Sequence, residues 1–165
     1  MHDAAQELFR FLGELGIETK TVTHPPLFTV EQSQALRGQI AGAHTKNLFL
    51  RDRKDAHFLV TVEEEAEVDL KRIHTLIGAS GKVSFGKPEM LMEYLGVIPG
   101  AVTPLGLIND REGKVRFVLD QALATAEIVN AHPLTNEATT SLSGADLLRF
   151  VKATGHETLI LNISS

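Results

Sequence analysis

The chain has 165 residues, 43% apolar and 22% charged, which fits one globular domain spanning residues 1–165 and excludes a disordered or fibrous protein. It contains no cysteine, so disulfides, thiolate metal sites and a cysteine nucleophile are excluded together. Sixteen Lys and Arg against twenty-one Asp and Glu give a net charge of −5, and aromatic residues make up 5% with no tryptophan, so these averages favour neither a global basic field nor a base-stacking platform.

The N-terminal segment sets Ala5, Leu8, Phe9, Leu12 and Leu15 at three- and four-residue steps, predicting an amphipathic helix ended by Gly16. Ile17 to Thr23 alternates and is β-branched, predicting a strand that His24-Pro25-Pro26 stops, because neither proline donates to a ladder. Thr29 to Gln32 reads as a capping box opening a helix to about Leu36. Asn47–Leu50 and Phe58–Val62 predict a hairpin closed by Asp52-Arg53-Lys54-Asp55. Asp69 to Ile77 predicts a helix with Leu70, Ile73, Leu76 and Ile77 inward, and Lys82 to Phe85 a short strand. Pro88 then opens a helix carrying Met90, Leu91, Tyr94 and Leu95 up to Gly96.

Leu105–Ile108 and Val115–Leu119 predict a second hairpin, and Glu127–Ala131 and Ala138–Leu142 two more strands. Ser143 to Asp146 is another capping box, heading a helix to Gly155, and Thr158 to Ile163 closes the chain as a strand. Irregular alternation and hairpin links argue for a mixed α/β fold, a twisted, partly closed sheet ringed by helices. No apolar run approaches the roughly 18 residues of a membrane-spanning helix, and the N-terminus is charged rather than signal-like, so a cytoplasmic location is expected.

The generic chemical motifs fail. Gly81 to Lys87 matches the start of a phosphate-binding loop, but Pro88 replaces its hydroxyl residue and offers neither a magnesium ligand nor an N–H. The seven histidines are scattered without metal-ligand spacing, no nucleophile elbow occurs, and neither metal nor cofactor is expected. Lys46, leading into Leu48-Phe49-Leu50, is either a solvated strand end or a cation at the mouth of a sheet, suited to a phosphate or oxyanion. Gly100 to Pro104 is either an ordinary loop or one whose glycine lets main-chain N–H groups approach a ligand. His132-Pro133, followed by Asn136, Thr139 and Thr140, is a turn or a pocket wall. Lys71 to Lys87 carries Lys71, Arg72, Lys82 and Lys87 without Asp or Glu, which makes it a solvated face or a local basic surface for phosphates.

In combination, Thr45 to Asp52, Leu95 to Asp110 and His132 to Thr140 resemble the YbaK/ProX family, free-standing homologues of the editing domain of bacterial prolyl-tRNA synthetases. The resemblance implies the family's mixed, barrel-like α/β fold and trans-editing, the hydrolysis of a wrong amino acid from tRNA(Pro). It implies that Lys46 holds the phosphate of the terminal adenosine, and that Gly100, Ala101, Val102, Thr103 and Pro104 form the backbone loop binding the aminoacyl end. His132 would then exclude cognate proline, with Thr29, Asn47, Asn136 and Thr139 as further pocket residues. The stretch from His132 to Thr140 is closer to the alanine-specific ProX type than to the cysteine-specific YbaK type. The expected substrate is therefore tRNA(Pro) mischarged with alanine, with Cys-tRNA(Pro) or non-catalytic binding of tRNA or synthetase as alternatives. Prolyl-tRNA synthetase and an elongation factor are the expected protein partners.

Overall fold

A computed structural model describes residues 3–26 and 40–163. Helix α1 (Asp3–Glu14) buries Ala5, Leu8 and Leu12 and is followed by strand β1 (Lys20–Thr23), shorter than the alternation predicts. The helix expected from Thr29 to about Leu36 lies outside the described residues; the hairpin expected after it is present but longer, with β2 (Ala43–Arg51) antiparallel to β3 (His57–Glu63) from Thr45–Glu63 to Arg51–His57. Asp52 fixes the turn, accepting from the Lys54 and Ala56 N–H groups at 2.9 and 3.0 Å and from Ser80 N–H at 2.8 Å. Desolvation raises the Asp52 pKa, but these backbone donors and the charge of Arg116 outweigh it and hold the carboxyl below its ordinary value.

Helix α2 (Ile73–Ile77) is shorter than predicted, and Leu76, expected inside, is 51% exposed. Strand β4 (Ser84–Phe85) and helix α3 (Pro88–Leu95) follow, with Pro88 in the first helical turn and Gly96 closing it at φ 68°. The predicted strand Leu105–Ile108 does not form. Pro104–Asn109 is a 3₁₀ helix whose N-cap Thr103 accepts from Leu105 N–H at 3.2 Å. A proline in its first turn behind a threonine cap is a helix-start signal that outweighs four apolar residues. Gly106 packs against Leu95 of α3, where an added Cβ would lie 3.0 Å from the Leu95 carbonyl oxygen.

Strand β5 (Val115–Asp120) therefore has no hairpin partner and lies parallel to both β3 and β8 (Thr158–Leu161). Between them come the short helix α4 (Gln121–Ala124), β6 (Val129–Ala131), β7 (Ala138–Leu142) and α5 (Gly144–Ala153). Ser143 caps α5 as the sequence predicts, accepting from Asp146 N–H at 3.0 Å.

The sheet runs β1-β7-β6-β2-β3-β5-β8, with β4 added to β2, and β1 and β8 remain its ends, so the barrel-like sheet is not closed. Its central strands are covered on both faces, which is why His57 to Val62 reads as a continuous run rather than an alternation. Leu59, Phe117 and Leu119 join α1, α3 and α5 in the larger core, whereas Leu50, Phe58, Val60, Val62 and Val118 join α2 in the smaller one. Phe58, Phe117 and Phe150 are at most 1% exposed, and burial of each contributes about 1.5–3 kcal/mol.

Candidate active site

Strand β2 carries Lys46 and Asn47 on a stretch where its pairing is uneven. One edge follows β3 from Thr45 to Arg51; the other meets β6 only at Ala43 and His44 and β4 only at Leu50 and Arg51. Thr45 to Phe49 therefore borders an opening where β6 and β4 have parted. Thr45 still reaches across it, donating from Oγ1 to the Asn130 carbonyl at 2.8 Å. Gly86 N–H closes the far end by donating to the Phe49 carbonyl at 2.8 Å. The parallel β2–β6 ladder ends at His44–Asn130 and β6 itself at Ala131, so His132 leaves the sheet at the end of β6 while Lys46 continues along β2.

Strand alternation sends the neighbours Lys46 and Asn47 to opposite faces. Asn47 lies opposite buried Thr61 and accepts from its hydroxyl at 2.6 Å, on the face of Phe49 and the larger core. Lys46 lies opposite Val62 of the smaller core, half-buried, with its ammonium donating to the Ala66 carbonyl. A carbonyl satisfies one donor without neutralising the charge, so the ammonium retains its attraction for an anion.

The 100–104 segment is built by two successive 3₁₀ turns. The first, Pro99–Ala101, buries Ala101 in the larger core while Gly100 stays exposed. Pro99 has no N–H, and Gly100, next in the first turn, has an N–H with no acceptor inside the turn. Val102 is partly buried, and Thr103 and Pro104 are buried as the cap and first residue of the second turn. Main-chain N–H groups, not side chains, are what this loop presents.

The chain leaves β6 through His132-Pro133-Leu134, where Leu134 takes φ 68° while packing against the larger core. A branched residue in that region costs on the order of 1–3 kcal/mol, a strain found where a functional segment is over-determined. His132 Nδ1 lies 3.1 Å from the Ala138 carbonyl. Burial pushes the His132 pKa down, the Ala138 carbonyl opposes this, and His24 adds to the depression. Because a carbonyl only accepts, Nδ1 carries the proton and neutral His132 keeps Nε2 as an acceptor. Asn136 is 5% exposed, and its amide nitrogen finds no partner among the described residues. Thr139 is buried and 2.8 Å from His24 Nε2, while His24 Nδ1 donates to the Pro25 carbonyl at 2.8 Å. His24 was not among the expected site residues; its 115-residue separation from Thr139 leaves no local signal in the sequence.

Thr29 lies outside the described residues. Asn47, Ala101, Val102 and Leu134 belong to or border the larger-core side, with His132 and Asn136 on the segment beside it. Lys46 is not brought beside Gly100. Its resting ammonium donates to the carbonyl of Ala66, which packs against the smaller core, and Lys71, Arg72, Lys82 and Lys87 are exposed along the 71–87 segment. Arg72 is 3.8 Å from Asp69, a solvent-exposed ion pair. Among the described residues no group of three His, Asp or Glu is placed to hold a metal ion, and no helix is long and apolar enough to cross a membrane.

The profile of the aminoacyl-tRNA editing domain matches residues 24–150, which spans the opening and all three segments around it. The chain belongs to the aminoacyl-tRNA editing domain family. Full-length relatives agree: it is 44% identical over 160 residues to the mouse prolyl-tRNA synthetase associated domain-containing protein 1, covering 94% of each chain. It is 37% identical over 155 residues to the prolyl-tRNA editing protein ProX of Acetoanaerobium sticklandii, covering 93% of this chain and 94% of that one. A crystal structure described as a candidate trans-editing enzyme for prolyl tRNA synthetase superposes with TM-score 0.75 at 22% identity, over 100% of this chain and 99% of that one. At that identity it speaks for the editing-domain fold alone, including the unclosed mixed sheet.

Proposed function

We propose that this editing domain is a hydrolase that cleaves alanine from mischarged tRNA(Pro). The observation that carries the reading is the stretch of β2 from Thr45 to Phe49 that lies outside the β6 and β4 ladders and carries Lys46 and Asn47. An aminoacyl ester is already activated, so its hydrolysis needs a positioned water and a stabilised oxyanion rather than a protein nucleophile. Water oxygen attacks the ester carbonyl, the ribose oxygen leaves with a proton, and free alanine and tRNA(Pro) result.

The Gly100 N–H is a main-chain donor suited to the oxyanion, and the Gly100–Pro104 backbone holds the aminoacyl end. His132 Nε2, kept neutral by burial, is an acceptor suited to the α-ammonium, and the unpartnered Asn136 amide is a donor for a substrate oxygen. Lys46 exchanges the Ala66 carbonyl for the phosphate of the terminal adenosine. Asn47 and Thr139 are held by Thr61 and His24 and set the pocket walls. Alanine is smaller than proline, so size exclusion is the available sieve; an apolar pocket separates ligands by only about 1–3 kcal/mol per methylene in the opposite direction. Lys71, Arg72, Lys82 and Lys87 supply phosphate contacts for the acceptor stem.

The test is loss of radiolabelled alanine from Ala-tRNA(Pro) in a filter assay. Hydrolysis proportional to protein supports the proposal. Protection of the ester, the behaviour of a binding module, overturns it.

A further inference from the structure

Phe85 is the most exposed large apolar side chain among the described residues, at 58%. Its backbone is nevertheless held in the sheet. It pairs with Leu50 across the β2–β4 ladder, its neighbour Ser84 pairs with Arg51, and the following Gly86 donates to the Phe49 carbonyl. A Cβ at Gly86 would lie 2.4 Å from the Phe49 ring, so this close approach fixes the exit of β4. The ring is presented on a supported strand rather than on a loose loop.

Its surroundings are cationic. Lys82 and Lys87 flank β4, both exposed, and no carboxylate occurs between Asp69 and Glu89. Directly paired antiparallel residues share a face, so Phe85 stands beside Leu50 on the face of β2 that also carries Leu48 and Lys46; Leu50 and Leu48 pack in the smaller core, and Phe85 and Lys46 mark the two ends of that stretch. Leu50 lies four positions along β2 from Lys46, a run of about 13 Å at the usual strand rise. Nucleotides stacked about 3.4 Å apart cover that run in roughly four steps, the length of the unpaired 3′ tail of a tRNA.

We infer that Phe85 is a stacking platform for an unpaired nucleotide upstream of the terminal adenosine, with Lys82 and Lys87 neutralising the adjoining phosphates. This rests on the tRNA substrate proposed above. An aromatic face accepts any base, so the platform positions the tail without reading sequence, and the flanking lysines make its contribution fall with salt. The low aromatic content of the chain does not oppose it, because one exposed ring is sufficient.

The absence of tryptophan makes the test direct, since Phe85→Trp introduces a sole tryptophan, excited at wavelengths where the single Tyr94 does not absorb. Its emission is expected to be quenched by uncharged tRNA(Pro) and by an acceptor-stem RNA hairpin with a single-stranded 3′ tail, but not by the same hairpin made blunt. Phe85→Ala is expected to bind the tailed hairpin about tenfold more weakly, with Phe85→Tyr restoring affinity and Phe85→Leu not. Equal affinity of Phe85→Ala and wild type, or an unquenched Phe85→Trp that still hydrolyses Ala-tRNA(Pro), overturns the platform while leaving the editing reading intact. A wild-type protein that neither binds tRNA(Pro) nor deacylates it overturns both.

Discussion

Removing the Lys46 ammonium separates a structural lysine from a phosphate-binding one, because the two roles differ in size. In the resting structure the ammonium gives one hydrogen bond to the Ala66 carbonyl from a half-buried position. Such a bond contributes about 1 kcal/mol after solvent screening, so Lys46→Met, which keeps the apolar stem, should lower the melting temperature by about 2–4 °C in a chain of this length. Against a substrate phosphate at about 4 Å the same charge is worth roughly 4 kcal/mol in the partly screened environment of a protein surface, or about a thousandfold in rate. The assay is deacylation of Ala-tRNA(Pro) under subsaturating conditions, alongside thermal melting of Lys46→Met, Lys46→Ala and Lys46→Arg. The expected pattern is a hundred- to thousandfold loss in kcat/KM for Met and Ala, a smaller loss for Arg, and near-native melting throughout. Activity within twofold of wild type, or a loss that tracks melting, refutes the reasoning.

The remaining predictions concern charge and packing elsewhere. Burial and His24 depress the His132 pKa, so the unfolded chain binds that proton more readily than the folded one; the stability contribution is complete above about pH 6.5 and is lost as pH falls toward the folded value. Denaturant titrations from pH 5 to 8 should show wild type losing more stability on acidification than His132→Gln, and identical profiles would contradict this. Asp110 accepts from Lys114 and Val115 N–H at 3.0 and 2.8 Å and lies 2.9 Å from buried His156, so Asp110→Ala leaves buried polar groups without their acceptor and should cost about 2–4 kcal/mol; a melting temperature within 2 °C of wild type would rule that out. Lys82→Gln with Lys87→Gln should lower the slope of log affinity for tRNA(Pro) against log salt by about one per lysine, and an unchanged slope would remove both from the phosphate contacts.

Much of this fold is legible locally. The Ser143 cap, the Pro88 helix start and the Asp52 turn are short-range devices, and each forms where its residues predict. Pairing is less legible: Val115–Leu119 reads correctly as a strand, but its parallel partners β3 and β8 come from distant sequence, so a neighbouring apolar run was given the partner's role. Leu105–Ile108 misleads because four apolar residues carry no period, although Thr103-Pro104 just before them marks a helical start. At the candidate site, the residue types of Lys46, Gly100 and His132 are visible in sequence, but the end of the β2–β6 ladder at His44–Asn130 is not. The opposite facing of Lys46 and Asn47 follows from strand alternation alone. The charge and aromatic averages pointed away from nucleic acid because a mean over 165 residues dilutes one acid-free stretch and one exposed Phe85.

The central claim is that this editing domain discriminates in favour of a small wrong amino acid. Single-turnover deacylation of Ala-, Cys- and Pro-tRNA(Pro), prepared identically and followed side by side, tests it most directly. The account predicts rapid release of alanine, slower release of cysteine and proline release no faster than the uncatalysed reaction. Faster release of cysteine than alanine would contradict the assignment of substrate, and release of proline at a comparable rate would contradict size exclusion itself.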